Sequence, residues 1–467
     1  MKRKKQIIEN VVVSGYAAQG KALARIEGKV LFIEGAVPGD VADVRIIKSK
    51  KDWAEGKAIR IKKYSDERVE PFCIHFGICG GCKWQMLPYQ DQLKYKEQEV
   101  KDVLQRIGRI SNIYVLPIIG AEKTIHYRNK LEFSFSNKKF LSTNELVDLG
   151  EGHWPGGAVG YHLPKLFDKI LDIQECWLMD DVNNIIRNSL REYSEAKGYT
   201  YYDFKEHKGF LRNIIIRNCT TGELMVNLVF GKYDGPKIED ICKFLLGKIP
   251  SITTLLYTVN EKWNDSLNDQ EPKVFYGKGY VIEKLGKFNF KISPKSFFQT
   301  NTRQAEMLYD VVKDFAALKG NEIVYDLYCG TGSIGIFLSN DAGKIIGVDV
   351  IEDAIKDANE NAELNNVNST SFYAGDVINI CDDSFFRFHG KPDIIVVDPP
   401  RAGLHQQLIN KLLEISAEKI IYVSCNVATQ ARDLQLLNVK YEVVKVQPVD
   451  MFPHTYHIET VALLYLK

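Results

Sequence analysis

The chain lacks net charge: 61 Lys or Arg stand against 60 Asp or Glu over 467 residues, so composition alone marks no strong electrostatic partner. It lacks any apolar run of membrane-spanning length. Its basic start, MKRKKQII, is not followed by the apolar stretch of a secretory leader. These absences predict a soluble, cytoplasmic protein with no membrane partner, and no obligate protein partner is evident. Cysteine is sparse as well. Nine thiols in a chain of this kind point to metal binding or catalysis rather than to a disulfide framework. The length exceeds one ordinary core and predicts two or three domains.

Charge is distributed unevenly. Residues 1–63 carry 15 Lys or Arg against 7 Asp or Glu, so a polyanion meets this part first. Short β-like runs (VVVSGY, GKALARI, KVLFIEG, DVADVRIIK, WAEGKAIRIKK) separated by glycine turns predict a five-stranded barrel over residues 1–64. The stretch GYAAQGKALARIEGKVLFIEGAVPGD resembles the TRAM domain, an OB-like RNA-binding module; the duller alternative is a solvated small β-domain with a disordered Lys-Arg tail.

After the charged linker YSDERVEP comes CIHFGICGGC, with Cys73, Cys79 and Cys82 spaced C-x5-C-x2-C around a Gly80-Gly81 turn. Three close thiols are one ligand short of a closed set, and Cys176 in QECWL is the best fourth. The spacing favours an iron–sulfur cluster over zinc or plain core cysteines; Cys219 and Cys242 sit in regular apolar patterns and read as buried. Pro88 to Gly108 reads as a helix with an apolar stripe of Leu93, Val100, Val103, Leu104 and Ile107. Strand-like runs then dominate as far as Phe290, giving a β-rich central domain, residues 65–295, with Arg128, Asn129, Lys130 and Arg212 as possible phosphate contacts or an ordinary solvated face. In ISPKSFFQTN, Phe297 and Phe298 are either core aromatics or base-stacking platforms, and Gln299 and Asn301 offer polar groups to a base edge or a cofactor.

The stretch IVYDLYCGTGSIGIF, residues 323–337, is a strand, a glycine-rich loop and a helix in series, the arrangement that binds a nucleotide. G-x-G-x-x-G fits NAD as well as S-adenosylmethionine, and the strands beyond the loop decide between them. Asp349 stands 23 positions after Asp326, where it can hold ribose hydroxyls; Asp376 is a possible acceptor for an adenine amine. Later strands end in Asp398-Pro399-Pro400 and in Ser424-Cys425, and YEVVKVQPVD and HIETVALLYL close the chain as an antiparallel pair. This predicts a Rossmann-like class I S-adenosylmethionine-dependent methyltransferase domain over residues 296–467, making the chain a multidomain α/β protein. Cys329, inside the loop, reads as structural.

A cysteine and a carboxylate beside S-adenosylmethionine suit methylation of pyrimidine carbon 5. A thiolate adds to carbon 6, carbon 5 becomes nucleophilic, and a base removes its proton after methyl transfer. Cys425 and Glu459 are the candidates, Asp398 would orient base or cofactor, and Phe297 or Phe298 would help flip the target out of its stack. Singly, each has a duller reading: a small buried thiol, a surface carboxylate, a turn. Methylation of an exocyclic amine at the Asp398-Pro399-Pro400 turn, and an RNA-binding or redox-sensing iron–sulfur protein with a silent fold, are the competing functions.

SFFQTN, DLYCGTG, VVDPPRAG, YVSCNVATQARDL and FPHTYHIETV together resemble the motifs of the RNA uracil-5-methyltransferases, the group containing the 23S ribosomal RNA and tRNA uracil-5 enzymes. The resemblance makes Cys425 the nucleophile, Glu459 the base, and Gln299, Tyr328, Asp349 and Asp398 the residues contacting S-adenosylmethionine. The TRAM-like start and the cysteines look like the 23S ribosomal RNA branch, in which Cys73, Cys79, Cys82 and Cys176 would hold a [4Fe–4S] cluster; tRNA is the alternative substrate. Tyr328 and Asp349 stand where phenylalanine and glutamate are common.

Overall fold

The computed structural model describes residues 6–110, 113–141, 145, 156–164 and 166–467, so the Met1–Lys5 tail lies outside the described residues. Among the described residues no helix is long and apolar enough to cross a membrane.

Between Ile7 and Lys63 the sheet has six strands rather than the five expected. The run VVVSGY breaks at a corner. Ile7–Val12 pairs with Val41–Ser49, whereas Gly15–Ala17 pairs with Lys21–Ile26, so one continuous segment joins both edges and closes a barrel. Its core is Val11, Ala22, Ala24, Leu31, Ile33 and Val44. Gly56 is required where strands cross closely: a Cβ there would lie 2.5 Å from Val44 Cγ1 and 2.9 Å from Arg45 O.

The helix Tyr89–Arg106 begins after Pro88, as expected, but the face it buries is Gln92, Lys96, Val100 and Leu104, and Ile107 is 42% exposed. Four-residue spacing makes that face continuous. It packs on the C-terminal domain: Val100 and Leu104 join that domain's core, and Lys96 Nζ meets Asp450 Oδ1 at 2.7 Å with both side chains fully buried. Removing one partner of such a pair costs roughly 3–5 kcal/mol.

The central unit is a seven-stranded sheet whose inner strands are Ala158–Leu163, Lys130–Ser136, Leu211–Asn218, Leu224–Phe230 and Thr254–Val259. Two helices that the β-rich reading does not include, Val182–Ala196 and Gly235–Lys248, cover its apolar face through Ile186, Leu190, Ile241 and Leu245. Asp234 caps the second, accepting from Lys237 N. Cys219 and Cys242 are buried, as their apolar patterns imply. Arg212 is no phosphate contact: it is fully buried, donating to the carbonyls of Asn260, Lys262 and Asn264 and to Asp265 Oδ1.

Within the C-terminal domain, numbered here in chain order, the strands are β1 (Ile323–Leu327), β2 (Lys344–Asp349), β3 (Thr370–Ala374), β4 (Ile394–Val397), β5 (Lys419–Ser424), β6 (Tyr441–Val449) and β7 (Glu459–Leu466). They lie in the order β3-β2-β1-β4-β5-β7-β6, parallel except that β7 runs antiparallel to both β5 and β6. Tyr114–Val115 adds a short parallel edge beside β6. Side chains alternate between two cores. Val324, Ile345, Ile394, Val396, Ile421, Val423, Val461 and Leu463 pack against the helix Thr302–Ala316 on one face, and Tyr325, Ile346, Val397, Tyr422 and Ala462 fill the other.

Candidate active site

The same alternation fixes where the polar strand-end residues go. Asp326, Asp349, Asp398, Cys425 and Glu459 each continue, at even spacing, the row that faces the helix Thr302–Ala316. All five sit at the carboxyl edge of the parallel strands, because β7 is reversed and starts there. Ser424 is paired with Thr460 in the β5–β7 ladder, so Cys425 and Glu459 are the next facing positions, on one side of the sheet.

Four carboxylates in one crevice strain its electrostatics. Asp326 is buried, its Oδ2 accepts from Gly335 N at 2.9 Å, and its Oδ1 is buried without a partner. Burial, opposed by that one bond and assisted by Asp398 and Asp349, pushes its acid up to about 8. Burial alone pushes Asp398 to about 7, and burial with Asp398 nearby drives Glu459 well above the usual range. The Cys425 thiol goes up to about 11 through burial, then Glu459 and Asp398. Arg401 is the cation opposing the shifts of both Cys425 and Glu459.

Arg401 and Tyr309 were not legible as site residues. Arg401 O accepts from Asn426 Nδ2 and Thr429 Oγ1, which ties the 398–404 turn to the helix after Cys425. Asp433 Oδ2 secures the same turn by accepting from Leu404 N and Tyr422 OH, both at 2.7 Å. Tyr309 reaches the crevice from the helix, its hydroxyl 2.8 Å from Ser333 Oγ and raised by burial and by Asp398, Asp326 and Glu459. A Pro-Pro-Arg turn and a tyrosine within an amphipathic helix carry little signal alone.

The glycine loop is built for close approach. Tyr328 (φ 62°), Gly330 (φ 52°) and Gly332 (φ 73°) are left-handed, and the non-glycine Tyr328 holds its conformation at a cost of about 1–3 kcal/mol. A Cβ on Gly332 would lie 2.7 Å from Phe372, while one on Gly330 would meet nothing within 4 Å. Asp349 accepts from Gly330 N and Ile351 N and so fixes the loop to β2. Asp376 lies beyond the end of β3 and accepts from Ile378 N as a helix cap. Cys329 is buried, in keeping with a structural role.

The segment SFFQTN splits between duties. Phe298 is buried in the core and Phe297 is 72% exposed. Asn301 is buried, capping the helix through Gln304 N and donating to Met451 O, so it is not free for a ligand. The Gln299 backbone carbonyl accepts from Asn129 Nδ2, and its side chain is half-buried.

The loop from Asp450 to Ile458, leading into Glu459, is where the units of the chain meet. His454 O accepts from Lys83 N and Trp84 N beside the cysteines; Tyr127 donates to Pro453 O, Gln304 to Asp450 O, and Gly20 of the barrel abuts Tyr456. Cys73, Cys79, Cys82 and Cys176 line one cavity of about 30 Å³ with Phe72, Tyr161, Trp177 and His454. Their chain spacing thus converges in space. No group of three or more His, Cys, Asp or Glu among the described residues is gathered closely enough to hold a metal ion, so the iron–sulfur expectation gains no support from the side-chain placement.

The reversed final strand, inserted between β5 and β6, distinguishes this domain from a dinucleotide fold and defines a methyltransferase. Residues 268–467 match the tRNA (Uracil-5-)-methyltransferase family, and residues 6–59 match the TRAM domain. An RNA methyltransferase of Bacteroides thetaiotaomicron is 47% identical over 97% of this chain and 100% of its own, and one of Porphyromonas gingivalis 44% identical over 97% and 98%. The crystal structure of Pyrococcus abyssi tRNA (uracil-54, C5)-methyltransferase in complex with S-adenosyl-L-homocysteine aligns with a TM-score of 0.74 and 27% identity over 98% of this chain and 100% of that one. The chain belongs to the RNA (uracil-5-)-methyltransferase family.

Proposed function

We propose that this enzyme methylates carbon 5 of a uridine in 23S ribosomal RNA, with Cys425 as nucleophile and Glu459 as base. The observation that carries the proposal is the facing register of those two residues at the open edge of a carboxylate-rich crevice. S-adenosylmethionine, when bound, supplies an electrophilic methyl on a sulfonium cation. The donor set fits it: Asp326, Asp398 and Glu459 favour a cation and oppose the pyrophosphate of a dinucleotide, the space over Gly330 is open, and Asp326 Oδ1 is an acceptor without a partner. Gln299, Tyr328, Asp349 and Asp398 would hold it.

The residues divide the work. Cys425 Sγ, as thiolate, bonds to carbon 6, and the electrons of the carbon 5–carbon 6 double bond shift onto carbon 5 and the adjoining carbonyl. Carbon 5 then takes the methyl, and the electron pair of the broken bond would stay on the donor sulfur, which leaves as the neutral thioether S-adenosylhomocysteine. Glu459 removes the proton left on carbon 5; the double bond re-forms and the carbon–sulfur bond breaks, returning the thiolate. Phe297, exposed on the segment that leads into the helix Thr302–Ala316, would offer a stacking face to the displaced base.

The four cysteines, through their resemblance to the ribosomal RNA branch, support the ribosomal substrate. A second reading, a tRNA uridine, is favoured by the Pyrococcus abyssi structure. Incubating the protein with labelled S-adenosylmethionine and unmodified 23S ribosomal RNA or tRNA transcripts, then mapping modified nucleosides, separates them. We expect 5-methyluridine in the ribosomal transcript. Label in tRNA alone would move the substrate to the second reading, and label on an exocyclic amine would overturn the chemistry.

For the cysteine cavity we propose a [4Fe–4S] cluster held by Cys73, Cys79, Cys82 and Cys176. An all-thiol donor set with apolar and aromatic walls suits it, and a cluster keeps its thiolates further apart than a single ion does. Its role would be to brace Lys83 and Trp84 against the loop preceding Glu459. Anaerobically purified protein is expected to be brown and to contain iron and sulfide; stoichiometric zinc without visible absorbance would reject the cluster.

A further inference from the structure

The central sheet keeps a like-charge pair that forms no ion pair among the described residues. Lys130 and Arg217 face each other directly across neighbouring strands, an arrangement that costs stability unless something negative is nearby. Arg217 is 2% exposed and its Nη1 is buried without a hydrogen-bond partner. The contrast is Arg212 on the same strand, whose guanidinium is fully used by loop carbonyls and Asp265. Glu132 and Glu283 are the carboxylates acting on the pair, but neither forms an ion pair with it, and Glu283 accepts instead from Thr220, Lys284 N and Thr302. Burial and the neighbouring guanidinium both press the Lys130 ammonium toward neutrality, a stress an anion would relieve.

The pair is also tied to the segment that carries Phe297. Asn129, next to Lys130, donates from its backbone to Thr300 O and from its side chain to Gln299 O and Thr302 Oγ1. Asn218, next to Arg217, donates its backbone N–H to Asn129 O. The two cations are therefore anchored to the segment that presents Phe297.

We propose that Lys130, backed by the buried and unneutralised Arg217 guanidinium, contacts a backbone phosphate of the RNA strand flanking the target nucleotide. This rests on the RNA-methylating function proposed above and adds where the strand is gripped. One phosphate contact carries no base information; it fixes the register in which the strand reaches Phe297.

The test measures binding of the full chain to an unmodified 23S ribosomal RNA transcript at increasing salt. Lys130→Gln is expected to weaken binding several-fold at low salt and to reduce the slope of log affinity against log salt by about 0.7–0.9, the loss of one phosphate contact. Arg217 is buried, so Lys130→Gln carries the test, and Arg217→Lys, which retains charge, should keep most of the slope. Binding of S-adenosylhomocysteine and the thermal midpoint, measured alongside, separate a lost phosphate contact from misfolding. An unchanged slope and affinity in folded Lys130→Gln protein overturns the site. If the unaltered protein binds RNA but transfers no methyl, the methylation proposal fails, while the slope comparison still decides this one.

Discussion

Replacing Cys425 with alanine is expected to lower methyl transfer to RNA by on the order of 10⁴-fold or more, because uracil carbon 5 has no other route to nucleophilic character in this crevice. Single-turnover transfer of labelled methyl, with S-adenosylhomocysteine binding as the control for an intact crevice, reads the effect. Retained 5-methyluridine formation would sink the adduct mechanism; the exocyclic-amine alternative needs no thiol and predicts retained methylation at nitrogen. The thiol's environment adds a pH dependence. With burial, Glu459 and Asp398 pushing Cys425 up to about 11, only roughly one molecule in ten thousand carries the thiolate at neutral pH. Alkylation of Cys425 by iodoacetamide in the protein alone should therefore rise about tenfold per pH unit through the neutral range. A bound sulfonium cation among the same carboxylates favours the thiolate and should speed alkylation at pH 7. The positive charge thus couples cofactor binding to activation of the nucleophile.

Much of the catalytic domain was legible because its signals are local. The strands β1, β2, β4 and β5 are short runs rich in Ile and Val with a polar residue at or next to the end, and the glycine loop after Asp326 announces its own conformation. The antiparallel closing pair followed from the lack of helix-length sequence between two strands, and it set Glu459 at the carboxyl edge. What escaped was polar or distant. Gln92 and Lys96 occupy the buried stripe of their helix because Lys96 meets Asp450, 354 residues away, and no periodicity of apolar residues can report such a pairing. The corner at Ser14 is set by which strands lie on either side, so VVVSGY reads as one strand from sequence. The helices Val182–Ala196 and Gly235–Lys248 are different: the Asp-Gly-Pro start of the second is a helix signal that the surrounding strands obscured. Phe297 and Phe298 were indistinguishable by type, and only their opposite exposure separates a surface ring from a core one.

The second large effect belongs to Glu459. Glu459→Gln is expected to leave addition and methyl transfer possible and to block the last proton removal, so that RNA stays covalently attached to Cys425 with the methyl already on carbon 5. Release should slow by roughly 10²–10⁴-fold, the range for loss of a positioned base. A denaturing gel resolves the adduct, and nuclease digestion with mass measurement shows whether the attached nucleotide carries the extra methyl. Free methylated RNA appearing at the unaltered rate would remove Glu459 from the mechanism; an attached but unmethylated nucleotide would place it before methyl transfer instead. The substitution is a fair one. Burial and Asp398 already drive the Glu459 acid well above its usual range, which favours its neutral form in the unliganded protein. Glutamine is neutral, nearly the same shape, and leaves the Ser424–Thr460 pairing and the facing position of Cys425 in place. What it cannot do is become a carboxylate when a cation enters the crevice. The accumulated adduct would therefore isolate that one property from the packing that supports it.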